Sequence, residues 1–182
     1  MKITIIRHGK VSMKWPKKCT SVEFDKACAE YDQRDLEDIN IFPLTITVGR
    51  IYVSELSRSI DTAKRLFPNS ESHEVLEIGE VPLKSFIDTQ KRLPLWIWNV
   101  LGRVQWYLGS ERQLEKRKDT MQRAHKVIDL CESRKEDCVL VTHGFFIHTL
   151  IKVLKSRGYN LVGNNQLDIK NLQIITAEKI KR

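Results

Sequence analysis

Two histidines, His8 and His143, and two arginines, Arg7 and Arg58, have the types and settings to do chemistry together. An imidazole can serve as nucleophile, hydrogen-bond donor or base, and a guanidinium presents a planar fork of donors that matches phosphate oxygens. That combination points to the handling of a phosphoryl group. Each histidine stands just past the end of a hydrophobic run, after Arg7 or Thr142, and directly precedes a glycine, Gly9 or Gly144. A glycine there lets the backbone turn sharply and pass close to a ligand with no Cβ in the way.

The elements that must position these residues can be read from the apolar pattern. Residues 2–6 are compact and β-branched, and end in Arg7-His8-Gly9, which predicts a buried strand and then a loop. Residues 50–53 predict a second strand. Ser54 is placed to cap a helix whose apolar positions, Leu56, Ile60, Ala63 and Phe67, keep helical spacing until Pro68 stops it. A third strand is expected within 73–80. An amphipathic helix is expected over 111–133, with Leu114, Met121, Ala124, Ile128 and Cys131 on one face. Residues 137–142 predict the clearest strand, 145–154 a helix apolar nearly all round, and 166–169 with 172–176 a closing strand or hairpin.

Strands alternating with helices predict an α/β fold with a mainly parallel sheet covered on both faces, whose ligands bind outside the carboxyl ends of the strands. His8 and His143 then stand at one sheet edge with Arg7 beside them. Arg58 joins them from the first turn of the helix after the second strand, where a helix N-terminus favours anions.

Composition narrows the field further. The 182 residues fit one domain, 41% hydrophobic and 30% charged, and no apolar run approaches the ~20 residues that a membrane-spanning helix needs. Disordered and membrane-spanning readings drop out. The first residues carry no cleavage site of the secretory kind, so a cytoplasmic protein with reduced thiols is expected. Cys19, Cys28, Cys131 and Cys138 show neither a Cys-x-x-Cys pair nor zinc-ligand spacing. A net charge of +8 suits an anionic partner: nucleic acid, an acidic membrane face or a phosphorylated small molecule.

Three blocks in order carry a family resemblance: Arg7-His8-Gly9 after the first strand, the segment Ser54-Glu55-Leu56-Ser57-Arg58-Ser59-Ile60-Asp61-Thr62-Ala63 after the second, and Val141-Thr142-His143-Gly144 after a later one. Together they resemble the histidine phosphatase superfamily, with its phosphoglycerate-mutase-like fold, over nearly the whole chain. The resemblance implies that His8 is the nucleophile, forming a phosphohistidine, and that Arg7, Arg58 and His143 hold the phosphoryl oxygens. It also implies an acid that protonates the leaving oxygen and later activates water. That role falls on Glu80, with Glu77 as the alternative in the same segment, and burial would favour the protonated carboxyl it requires.

The chain departs from the family's common pattern after Gly9, where it reads Lys10-Val11-Ser12-Met13-Lys14-Trp15 instead of a Thr and an Asn. Ser12, Lys10 or Lys14 could substitute as phosphate contacts. The implied activity is hydrolysis of a phosphomonoester of a small metabolite, with no metal or organic cofactor. A phosphomutase of the same fold and a non-catalytic phosphate-recognition module are the alternatives. Phosphoproteins stay open as substrates, and oligomeric state is not readable.

Residues 85–133 are expected as a helical insertion capping the site. Most of the aromatic rings of its Trp-rich part, from Leu95 to Tyr107, should pack in the core, while Arg103 is a candidate contact to an anionic substrate. The basic positions Arg112, Lys116, Arg117, Lys118, Arg123 and Lys126 are expected to be a solvated helix face. No nucleic-acid-binding motif accompanies them, so neither a nucleic-acid nor a membrane partner is expected. His125 and His148 receive no catalytic role.

Overall fold

The computed structural model describes residues 1–38, 41–45, 49–162 and 168–179. In chain order the elements are β1 (Lys2–Arg7), β2 (Lys18–Cys19), α1 (Ser21–Gln33), β3 (Arg50–Val53), α2 (Ser57–Leu66) and β4 (Ser72–Glu74). After a single 3-10 turn at Leu76–Ile78 come β5 (Leu93–Pro94), α3 (Leu95–Leu108), α4 (Arg117–Arg134), β6 (Cys138–Thr142), α5 (Gly144–Ser156), β7 (Tyr159–Val162) and β8 (Ile174–Lys179).

Among the described residues, six strands form one sheet in the order β4-β3-β6-β1-β8-β7. The run from β4 to β1 is parallel, and β8 and β7 join antiparallel. The fold is therefore α/β with a mainly parallel sheet, as the alternating pattern predicts. Apolar positions alternate between its two faces. Ile3, Ile5 and Leu140 pack with Ile128 of α4 and Ile147 and Leu150 of α5, whereas Ile6, Val139 and Val141 pack with Ala63 and Leu66 of α2.

Register sets the site. Arg7 of β1 pairs across the parallel ladder with Thr142 of β6, so the next residues, His8 and His143, leave the same edge side by side. The His8 backbone N–H donates to the Thr142 carbonyl at 2.9 Å and continues the ladder past the strand end.

Several expected boundaries shift. The strand expected within 73–80 is β4 and stops at Glu74, because the chain coils into the 3-10 turn that brings Gly79 and Glu80 back towards the sheet edge. The helix expected from 111 begins at Arg117, and Leu114, placed on its apolar face, is exposed in the preceding turn. α2 starts at Ser57 with Leu56 as its cap position and no side-chain cap; Ser54 lies two residues before that position, and its Oγ accepts from the Leu56 N–H at 3.3 Å. Of the closing segment, residues 166 and 167 lie outside the described residues, Leu172 occupies a left-handed turn position, and the strand is Ile174–Lys179.

The span 85–133 divides. α4 belongs to the main core through Ala124, Val127, Ile128 and Cys131. α3 divides between two clusters: its Trp106 joins α4 in the main core, whereas its Trp98 stacks on Phe24 of α1 and meets Phe86 in a separate one.

Candidate active site

A pocket of about 610 Å³ opens at the carboxyl edge of the sheet, lined by residues of β1's end, α1, the 80–83 segment, α3 and the start of α5. His8, Arg58 and His143 are buried and adjoin its wall, His8 and His143 next to the lining residues Arg7 and Gly144 and Arg58 through its bonds to Tyr31 and Asp32, and His8 is only 1% exposed. The two imidazole centroids are 5.0 Å apart.

The hydrogen bonds fix which ring nitrogens carry protons. His8 Nδ1 lies 2.6 Å from the Gly9 carbonyl oxygen, which can only accept, so Nδ1 is the donor and Nε2 holds the free lone pair. The Asn171 side-chain amide donates to the carbonyls of both His8 and Gly9, and the Gly9 N–H donates to Thr62 Oγ1. The nucleophile candidate is thereby held on three sides. His143 Nδ1 accepts from Arg58 Nε at 3.2 Å, so its Nε2 carries the proton and donates to Ser54 Oγ at 2.8 Å. Ser54, expected as a helix cap, orients the second imidazole and also accepts from the Leu56 N–H ahead of α2.

Burial and the neighbouring guanidiniums keep both rings neutral. For His8, desolvation first and then Arg58 bring the pKa down to about 3, with the Gly9 carbonyl opposing. His143 is also lowered well below the ordinary histidine range, by burial and then by His8 and Arg58. A neutral imidazole with an available Nε2 lone pair is the form a nucleophile needs.

Arg58 uses three of its five N–H groups on the protein: Nε to His143, Nη1 to the Tyr31 carbonyl at 3.3 Å and Nη2 to Asp32 at 2.9 Å. Its guanidinium also lies 4.8 Å from the Tyr31 ring centre. Arg7 lines the pocket. Its Nη1 donates to the Ile169 carbonyl at 2.5 Å, while its buried Nε has no hydrogen-bond partner among the described residues. A Cβ on Gly144 would sit 3.0 Å from that Nε, so the glycine is there to admit Arg7. Neither Gly9 nor Gly144 has a positive φ. Close packing against side chains, rather than a sharp turn, is what they provide.

Glu80 reaches the N-terminus of α5. Its Oε1 accepts from the Val81 N–H at 2.8 Å and the Phe146 N–H at 3.3 Å, and Glu80 lines the pocket. Two arginines hold its segment. Arg103 donates to the Val81 carbonyl at 3.1 Å while lying 3.7 Å from the Phe145 ring centre, and Arg123 donates to the carbonyls of Glu77 and Gly79. Arg103, expected as a substrate contact, thus lines the pocket but spends its guanidinium on the backbone beside Glu80. Arg123, expected on a solvated face, pairs with Glu115 and serves the same segment.

Some candidates are not brought together with the histidines. Glu77 is absent from the pocket wall, since the 3-10 turn directs Glu80 there instead. Ser12 is exposed and borders a different hollow with Lys14 and Arg34, and Lys10 pairs with Glu37. The chain after Gly9 turns away where Val11 bridges to Leu36, and of residues 10–15 it is Trp15 that returns to the pocket wall. Conversely, Tyr31, Asp32 and Asn171 belong to the site with no role expected of them, as do Ser54, expected only as a helix cap, and Thr62, which stands only within the second block. A readable signal existed for the helix that carries the first two: Thr20 and Glu23 form a capping box at the start of α1.

The family model for the histidine phosphatase superfamily (branch 1) matches residues 3–181. No curated protein matches the chain. Among solved structures, a mutant phosphoserine phosphatase from Entamoeba histolytica in complex with phosphoserine is 18% identical, with 96% of this chain and 89% of that one covered and a TM-score of 0.60. A phosphoglycerate mutase from Bacillus anthracis is 15% identical over 98% of this chain and 88% of its own, with a TM-score of 0.59. A mycobacterial glucosyl-3-phosphoglycerate phosphatase is 18% identical over 95% of both chains, with a TM-score of 0.54. At these identities the likeness is one of fold.

Proposed function

Because the chain belongs to the histidine phosphatase superfamily (branch 1), we propose that it hydrolyses a phosphomonoester of a small metabolite through a phosphohistidine on His8. The observation that carries this reading is the Nδ1 contact of His8 with the Gly9 carbonyl, which aims a neutral Nε2 lone pair out of the ring's free side.

Substrate phosphoryl oxygens approach Arg7 and the α5 N-terminus and compete with Asp32 for Arg58, which uncovers His8. Nε2 attacks phosphorus as the P–O bond to the leaving group breaks, and Glu80 gives its proton to the departing oxygen. Water then attacks the phosphohistidine, Glu80 takes back a proton, the P–N bond breaks, and inorganic phosphate leaves with His8 again neutral. The charge that develops on the phosphoryl oxygens is met by Arg7, Arg58 and His143. Arg103 and Arg123 fix the backbone that carries the acid.

The pocket supports a small substrate. Its volume lies within the range of metabolite sites, and its wall mixes Arg7 and Arg103 with Asp32, Glu55 and Asp168 and with the rings of Trp15, Tyr31 and Phe145.

The test is to trap phosphoenzyme from an aryl phosphate, in chelator, for the native protein and for His8→Ala. The expected result is an acid-labile, alkali-stable phosphate that is absent from the variant and accompanied by steady phenol release. Phosphoserine and glucosyl-3-phosphoglycerate, named for two of the fold relatives, belong in the substrate panel. Absence of labelling and of turnover across that panel, with phosphate still bound, would replace this reading with a recognition module. Transfer to an added acceptor in excess of hydrolysis would replace it with a mutase.

A further inference from the structure

The solvent side of α3 is apolar, the reverse of what a surface helix of a globular domain presents. Trp98, Gly102 and Trp106, spaced by four, face inwards and are buried. Opposite them, Trp96, Val100, Leu101, Val104, Tyr107 and Leu108 are all exposed, Trp96 at 65% and Leu108 at 75%. At 3.6 residues per turn these six span an arc of about 140° that holds no polar residue. The hollow along this face has an almost wholly apolar wall and shares Asn99, Arg103 and Phe145 with the pocket above the histidines.

Cations flank both ends of the stripe. At the N-terminal end, Lys17 and Lys18 run beside β5 and α3, with the Leu95 N–H donating to the Lys17 carbonyl and Arg92 Nη2 to the Lys18 carbonyl, and Lys91 adjoins Arg92. At the C-terminal end, Lys116, Arg117 and Lys118 form a hollow with Tyr107 and Leu108, and Arg117 lies 4.6 Å from the Tyr107 ring centre. Acidic neighbours temper this rim, since Arg92 pairs with Glu23 and Lys116 with Glu111. Lys17, Lys18, Lys91 and Lys118 form no ion pair among the described residues.

We propose that this face of α3 docks on the surface of an anionic lipid bilayer, lying in the interface and not crossing it. Fourteen residues rise only about 21 Å, too short to span the hydrocarbon. An apolar arc with aromatic rings at its two ends and cations around it matches an interfacial helix, with rings at headgroup depth and cations on anionic headgroups. A second copy of this chain is a poorer occupant, since pairing the stripes would bring two sets of like charges together. The inference is independent of the catalytic reading, and it sets the pocket rim beside the membrane.

The test is co-flotation of the full chain with vesicles of phosphatidylcholine alone and of phosphatidylcholine with 30% phosphatidylglycerol, alongside Trp fluorescence and the solution mass by light scattering. Binding to the anionic vesicles, a blue shift and weakening in high salt are expected. The double variant Val100→Glu, Val104→Glu should lose at least tenfold in vesicle affinity and keep its circular dichroism and aryl phosphate turnover. No binding to anionic vesicles, or equal binding by the variant, overturns the proposal. So does a dimeric native protein whose variant is monomeric, which would make the face a self-interface. If the double variant fails to fold, Trp96→Gln alone carries the same comparison.

Discussion

Asp32 does to Arg58 what a phosphoryl group would do: it supplies an oxygen 2.9 Å from Nη2 at the pocket wall. Incoming phosphate must displace a carboxylate that is itself half exposed, so the pair is worth little once screened. Asp32→Asn leaves only a weaker, neutral acceptor for Arg58 and removes a charge like that of the phosphate, and vanadate inhibition should tighten by about 3- to 10-fold, a change of roughly 1 kcal/mol in a partly solvated setting. Unchanged inhibition would mean that Arg58 never leaves Asp32. Glu80 carries a separate expectation. Glu80→Gln should slow alkyl or phenyl phosphate by about 100-fold or more, the usual worth of a general acid, and should slow nitrophenyl phosphate much less, because its leaving group departs unprotonated. Glu77→Gln should leave both rates alone, since Glu77 is off the pocket wall. The opposite assignment would follow if Glu77→Gln alone produced the leaving-group pattern.

The start of α5 is where backbone space decides whether an arginine reaches the site. Gly144 opens the helix, and a methyl group there would meet Arg7 Nε at 3.0 Å and Cζ at 3.1 Å while Arg7 is tethered to the Ile169 carbonyl. Gly144→Ala should therefore weaken phosphate or vanadate binding by about tenfold, near the worth of one charge-assisted hydrogen bond, with little change in melting temperature. A large loss of stability with normal binding would contradict it. β1, β6 and α5 are legible in the sequence, because short β-branched runs end in Arg7-His8-Gly9 and Thr142-His143-Gly144 and an all-round apolar helix follows the second. α1 shows only the Thr20/Glu23 capping box at its start, since only Ser21, Phe24 and Ala27 of its thirteen residues are buried and its stripe is correspondingly thin. That box does not point to Tyr31 and Asp32. Ser54 has the residue type of a helix cap, and only the fold reveals that the His143 ring competes for its hydroxyl. Asn171 reaches the His8 carbonyl from 163 positions away, a contact that no local pattern can announce.

Burying two imidazoles under a pocket ties the stability of the fold to pH. His8 has its ordinary value of 6.5 when the chain is unfolded and about 3 when folded, and His143 is displaced in the same direction. Below pH 6.5 the unfolded chain takes up protons that the folded chain refuses, so acid favours unfolding. The contribution is fully present above pH 6.5 and is lost as pH falls, at about 1.4 kcal/mol per pH unit for each ring. Between pH 7 and 5.5 the two together should remove roughly 2 to 3 kcal/mol. That window lies above the range in which the paired carboxylates Asp88, Asp129 and Glu132, all held below their ordinary values by arginine or lysine partners, begin to matter. Urea midpoints across it, in a phosphate-free buffer, should fall steadily for the native chain and about half as steeply for His8→Gln, which keeps a side chain of similar reach but cannot take up the proton. A flat profile in the native protein would mean that these rings gain water or protons in the folded state, and a nucleophile kept neutral by burial would have to be given up.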